Sequence, residues 1–233
     1  IQWWGHYDIK TAVSLQQECA TIIANGGHTW IGYQMYPQFR VEPAVMFQLA
    51  QALSFVRERE HLCKNAKIVP YIAVSHSTHS YFTHKPSFLI DETSLKGAHK
   101  ILLESGFHYN IILDEKLESE IDKYKAVILL DQRYVSPRLA EVLRNFVKEG
   151  GGLIATGLTG TLDENLEFTG KFALEDLFGV SLEGEYPHNH AYIEIEDKRL
   201  KSGVLDMPIL VWGKFVYVKP KSAEVLARLR GIY

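Results

Sequence analysis

Cysteine is scarce in this sequence, and so are methionine and any excess of charge. Two cysteines in 233 residues, Cys19 and Cys63, rule out a disulfide-built scaffold and carry little information about redox compartment. Lys+Arg number 25 against Asp+Glu 28, a net charge of -3. Such a balance gives no electrostatic footprint for nucleic acid or an anionic membrane surface. Long hydrophobic runs are missing too. A stretch such as Ala126 to Leu130 is far short of the roughly 20 apolar residues that cross a bilayer as a helix. The chain opens Ile-Gln-Trp-Trp and closes Arg-Gly-Ile-Tyr, with no initiator methionine and no signal peptide. It is expected to be a piece of something longer, and its localisation stays open.

What is present is an ordinary globular composition, 46% hydrophobic and 23% charged. At roughly 150 residues per domain the length allows one or two domains, and the patterning divides the chain near residue 65. In the first block, Ala12, Leu15, Cys19, Ile22 and Ile23 recur at helical spacing, and Asn25-Gly26-Gly27 ends that helix. His28 to Gln34 reads as a strand. Pro43 to His61 reads as a second helix, with Met46, Leu49, Ala50, Leu53 and Val56 on one face. Alternating strands and helices are the grammar of a parallel sheet or barrel.

The second block predicts strands at 67–75, 109–113, 125–130 and 153–156, with helices at 92–105 and from Ser136-Pro137 onward. The near-continuous apolar run of 125–130 is that of a strand buried on both faces. Ser136 as N-cap with Pro137 at the first helical position is a strong start signal. Leu139, Val142, Leu143, Phe146 and Val147 then form the cleanest amphipathic stripe in the chain. After Val180 the segments 192–196, 209–212 and 215–218 are short and alternating, around a Trp212-Gly213-Lys214 turn, which predicts antiparallel additions.

These residues carry a resemblance. Tyr124 to Leu130, the Leu-Arg-x-Phe-Val run at 143–147, Gly150 to Gly160, Thr161 to Glu164 and Phe172 to Val180 resemble, in order and spacing, the glutamine-amidotransferase-like domain of the β-galactosidase trimerisation-domain family. Trp4-Gly5-x-Tyr7, Asn25-Gly26-Gly27 and Pro37 before a long helix are similar to the last βα units of α-L-fucosidase-like barrels, although Phe39 stands where that pattern often has Gly. The resemblance implies an α/β fold. A flavodoxin-like, class I glutamine-amidotransferase-like three-layer domain (66–233, whole or cut short at its C-terminus) would follow the last βα units of a TIM barrel (1–65). It also implies a bacterial-type glycoside hydrolase, acting on a galactoside or a fucoside, with the second domain serving homo-oligomer assembly and closure of the active-site cleft.

Amidase chemistry needs a thiol on a tight strand-to-helix turn with a histidine nearby. The corresponding turn, Thr156-Gly157-Leu158-Thr159-Gly160, holds neither Cys nor Ser, so that activity is excluded. Glycoside hydrolysis needs two carboxyl groups about 5 to 9 Å apart. Asp8 and Asp131 fall near strand ends, but neither has a visible partner, and Asp131 suits loop structure better. No catalytic acid is assigned, and the family's carboxylates come from earlier barrel strands. Trp3, Trp4, His6, Tyr7, Gln34 and Tyr36 fall near strand C-terminal ends, the active face of a barrel. Their aromatic faces and polar tips suit sugar binding. The competing reading is that Trp3 and Trp4 merely pack between the barrel and the next domain.

His76, His79 and His84 are spaced for a transition metal, but a polar loop tolerates several histidines and no carboxylate accompanies them before Asp91. The sequence therefore assigns no metal and no cofactor. Gly150-Gly151-Gly152 lacks a following Lys-Ser/Thr and reads as helix punctuation rather than a phosphate cradle. The leading expectation is a part of a glycosidase that is inactive alone, with a carbohydrate as the parent's substrate. The alternative is a stand-alone assembly or sugar-binding module, and a third reading is a metal-dependent enzyme built on the histidine loop. Two βα units do not close a barrel, so the second domain or another copy would have to cover their strand edges.

Overall fold

A computed structural model describes residues 10–33, 38–67, 69–77 and 93–231. The chain divides into two compact units, residues 1–69 and 70–233.

In the first unit, α1 (Ala12–Ala24) and α2 (Pro43–Cys63) pack on each other. The Thr11 side chain accepts the Ser14 N–H and caps α1, satisfying a donor the first helical turn cannot use internally. Ala12, Leu15, Cys19 and Ile23 are buried, as the helical spacing predicts, whereas Ile22, placed on the same stripe, is exposed. The Gln48 side chain of α2 accepts the Ala12 N–H at 2.7 Å, tying the two helices at one end. In α2 the predicted stripe is rotated. Val45 and Ala52 are the buried positions, while Met46 and Leu53 are exposed. This helix is apolar on several sides, and the contact with α1 selects one of them. The strand expected at 28–34 does not form over residues 28–33, which pair with no neighbour among the described residues. Gln34 lies outside the described residues.

The second unit is built on a parallel sheet of β1 (Ile72–His76), β2 (Tyr109–Leu113), β3 (Ala126–Leu130) and β4 (Gly152–Thr156), in the order β2-β1-β3-β4. That order is the flavodoxin-like one. Helix α3 (Thr93–Glu104) covers one face, where Leu102 packs with Ile72, Val74 and Ile128. Helices α4 (Asp114–Glu120) and α5 (Pro137–Lys148) belong to the other face, where Leu117, Leu139, Leu143 and Phe146 meet Ala73, Val127 and Leu129. The result is three layers. β3 is central, and its Val127, Ile128 and Leu129 are all buried, which is why its sequence is a continuous apolar run. Ser136 caps α5 by accepting the Leu139 N–H at 3.0 Å, and Pro137 follows at the first turn. Gly151 has no room for a side chain, since a Cβ there would meet the Phe146 ring at 2.4 Å.

Beyond the short helix α6 (Glu175–Phe178) the chain turns antiparallel. β5 (Val180–Glu185) pairs with β8 (Val216–Pro220), and β6 (His190–Ile195) lies between β7 (Ile209–Trp212) and β9 (Ala227–Arg230). Segments 209–212 and 215–218, read as neighbours around Trp212-Gly213-Lys214, therefore enter different sheets, β7 one and β8 the other. The turn changes sheets rather than closing a hairpin. β5 and β9 are not among the strands predicted above, although Val180-Ser181-Leu182-Glu183 and Ala227-Arg228-Leu229-Arg230 both alternate apolar and polar residues.

Candidate functional site

Ligands in open parallel sheets gather beyond the carboxyl ends of the strands, where the strand order reverses. Here that point lies between β1 and β3. Their carboxyl ends carry a compact set of buried polar side chains: Ser75, Gln132 and, from the start of α4, Asp114. The Ser75 hydroxyl donates to Gln132 Oε1 at 2.7 Å. Gln132 Nε2 points to Asp114 Oδ2 at 3.5 Å, and the other Asp114 oxygen accepts the Glu115 N–H at 3.2 Å. The buried polar atoms of this cluster are spent on one another.

The second part of the crest is the turn after β4. Asp131 directly follows β3 with φ of 47°, a left-handed conformation uncommon for a residue with a Cβ. Its Oδ1 accepts the Leu158 N–H at 2.7 Å, and its own N–H donates to Thr156 Oγ1 at 3.0 Å. Gly157 is obligatory beside it, because a Cβ there would lie 2.5 Å from Asp131 Oδ1. The rest of the turn is equally closed. Thr159 Oγ1 donates to the Thr156 carbonyl and Thr161 Oγ1 to the Leu158 carbonyl, each at 2.7 Å. The Gly160 N–H reaches the Gln132 carbonyl at 3.0 Å.

An acyl-transfer centre at this turn would need a nucleophile at its tip and free N–H groups to bind an oxyanion. The tip residue is Leu158, buried, and its N–H is held by a carboxylate. The N–H after it, where an elbow of this kind would bind an oxyanion, is also spent: that of Thr159 reaches the Thr156 carbonyl at 3.3 Å. Asp131 does serve loop structure, but the loop it holds is the one after β4. The two cysteines lie far along the chain from this crest. Cys19 is buried in α1, and burial followed by the neighbouring Glu18 pushes its thiol pKa up, away from the reactive thiolate.

Beside the crest, a cavity of about 430 Å³ opens between β4, α5, α6 and the β5–β8 pair, lined by Leu153, Ala155, Phe172, Phe178, Val180 and Val216 among others. On its flank the Arg144 guanidinium holds Asp176 through two bonds of 2.7 and 3.1 Å and the Ala173 carbonyl through a third of 2.7 Å. That pairing holds the Asp176 carboxyl below its usual pKa. It ties α5 to the segment that begins the antiparallel region.

Of the residues singled out from sequence, Trp3, Trp4, His6, Tyr7, Gln34 and Tyr36 lie outside the described residues, as do His79, His84 and Asp8. His76 ends β1. Among the described residues no group of three or more His, Cys, Asp or Glu is placed to hold a metal ion, and no helix is long and apolar enough to cross a membrane. The sequence reading missed Ser75, Gln132 and Asp114. The one available signal was a polar pair, Asp131-Gln132, directly after an apolar strand.

The fold and crest together define an α/β domain of flavodoxin-like strand order whose turn after β4 is closed by its own hydrogen bonds. Residues 74–233 match the β-galactosidase trimerisation domain, and the chain belongs to that family. Among solved structures it is similar to α-L-fucosidase isoenzyme 2 from Paenibacillus thiaminolyticus, at 22% identity and a TM-score of 0.78 over 97% of this chain and 33% of that one. It is also similar to a β-galactosidase from Rahnella sp. R3, at 16% identity and a TM-score of 0.78 over 97% of this chain and 36% of that one. A β-galactosidase from Bacillus circulans sp. alkalophilus aligns at 22% identity and a TM-score of 0.64, over 78% and 28%. At these identities the likeness is one of fold. The chain spans about a third of the length of these enzymes. No curated protein sequence matches it.

Proposed function

We propose that this chain is the assembly region of a glycoside hydrolase and does no chemistry of its own. The observation that carries the reading is the family match over 74–233, joined to a crest whose turn N–H is occupied by the Asp131 carboxylate. In this reading residues 66–233 hold copies of the enzyme together, and residues 1–65 are the closing βα units of its barrel. The similarity to a fucosidase and to galactosidases across 97% of the chain supports that division. Because the chain spans only about a third of those enzymes, the catalytic acid and base would be supplied by the rest of the whole protein. A β-galactoside or an α-L-fucoside is then the substrate class. Trp3, Trp4, His6, Tyr7, Gln34 and Tyr36 would line the sugar site there without reacting.

The test is sedimentation velocity of the chain together with assays on nitrophenyl β-galactoside and α-L-fucoside. A discrete homo-oligomer, trimeric by the family description, with no turnover is the expected result. A strict monomer at all concentrations would overturn the assembly role. Turnover at enzymatic rates, on the order of 1 per second or more, would overturn the claim that the chain is chemically silent.

A further inference from the structure

The antiparallel sheet β7-β6-β9 has two unlike faces. Strand registers place His190 opposite Trp212, Tyr192 opposite both Leu210 and Arg230, and Glu194 opposite Arg228, so these side chains share one face. The other face carries Ala191, Ile193, Val211 and Leu229, which are buried or half-buried. The first face is open: Trp212 is 70% exposed, Leu210 45% and Tyr192 36%. The His190 ring lies 4.8 Å from the Trp212 ring, centroid to centroid, with 31° between their planes, so the indole is braced rather than free.

We infer that this face, centred on Trp212, Leu210 and Tyr192, is a contact surface for a second copy of this chain. The inference rests on the assembly reading above and names where that assembly is made. Three observations favour a protein partner of the same kind. The face combines Trp, Tyr and Arg, the residue types that dominate the cores of protein interfaces. Its charges cancel locally, with Arg230 on Glu194 at 2.5 Å and Arg228 on Glu196 at 2.6 Å. It therefore presents no net charge to a like-charged copy of a chain carrying -3. And the face falls within the 74–233 segment that defines membership of a trimerisation family.

Size sharpens the inference. Three strands spaced about 4.8 Å apart, at about 3.3 Å per residue, give a flat footprint of about 300 Å². A stable contact covers about 800 Å² per partner. The sheet face alone is too small, so the contact must take in the neighbouring connection to β7, where Leu205 is 77% and Met207 59% exposed. A closed trimer also requires this face to meet a different surface on the next copy, because rings of three are built head to tail.

Sedimentation velocity of the full chain should show the oligomer weakened at least about tenfold by Trp212→Ala and lost in Leu210→Glu. Ile154→Glu, at an exposed site of the parallel sheet, should leave it intact. Circular dichroism should show all three folded, since the altered side chains are exposed. Hydrogen exchange on the wild type gives a readout independent of substitution: amides of β7 and β9 should gain protection as concentration rises. An oligomer unchanged in both face variants, with no such protection, would overturn this placement while leaving assembly itself standing. A wild-type monomer would instead remove the assembly reading and this inference with it. Fluorescence quenching by galacto-oligosaccharide that vanishes in Trp212→Ala, without any change in mass, would make the face a sugar platform and overturn the proposal.

Discussion

The carboxylate of Asp131 accepts the backbone N–H of Leu158 at 2.7 Å, across 27 residues of sequence. This one bond joins the ends of the two adjacent strands β3 and β4 and decides what the crest can do. It goes with a left-handed conformation at Asp131, fixes the turn around Gly157, and takes one of the N–H groups at the head of that turn.

Asp131→Ala should destabilise the second unit by about 1–2 kcal/mol. The charge-assisted bond is lost and an alanine is left at positive φ. The upper end is tempered by the partial exposure of this side chain, 41%. Asp131→Asn should recover roughly half, because an amide oxygen still accepts the N–H. Urea midpoints of the three proteins compare these directly.

Leu158→Cys places a thiol at the tip of the turn and should still give no ammonia from glutamine. With Asp131 on its N–H, the new side chain gains neither an oxyanion site nor an activating base. A coupled ammonia assay reads this, and measurable release would show that the turn keeps latent amidase geometry.

Leu143 is fully buried between α5 and the sheet. Leu143→Ala should cost about 3 kcal/mol through lost burial and the cavity left behind. Ser136→Ala, removing the cap on the same helix, should cost about 1 kcal/mol. The threefold contrast between two sites on one helix separates packing from capping in a single denaturation series.

Arg144→Gln should weaken the tie to Asp176 and the Ala173 carbonyl by about 1 kcal/mol at neutral pH, a modest figure because both side chains are substantially exposed. The Asp176 carboxyl titrates below its ordinary value in the folded chain, first because of its bond to Arg144. Its contribution is therefore present above the unfolded value, about 3.9, and is lost as pH falls through the lower folded one. The difference between wild type and variant should shrink on going from pH 7 to pH 2.5, as read by urea midpoints at each pH.

How much of this was legible in the sequence depends on the range of the interactions involved. β3 and α5 were readable because each carries its own signature. One has an uninterrupted apolar run that needs burial on both faces, the other a five-residue stripe behind Ser136-Pro137. α2 was misaligned because Met46, Phe47 and Leu53 are apolar on a side that the contact with α1 leaves exposed, so local periodicity had no way to choose. Segments 209–212 and 215–218 were read as neighbours because they are adjacent in sequence, whereas their partners are β6 and β5. At the crest the sequence showed what was missing, a nucleophile between Thr156 and Gly160. It did not show what had replaced it, since the Asp131–Leu158 bond exists only once two strands are aligned.

The passage from β7 to β8 has a consequence for how this region comes into being. β5 cannot pair until β8 has arrived, and Val180 meets Pro220 only after every residue between them has been placed. β6 meanwhile receives β7 from the same intervening stretch and β9 from beyond it. The two small sheets are thus interleaved along the chain, so neither is finished before the other has begun. Long-range pairings of this kind make for slow, concerted folding. Trimming the chain back through β8 would strip strands from both sheets at once. The antiparallel region should therefore gain or lose its structure as one piece, and a nascent chain would carry it unformed until its last strands are made.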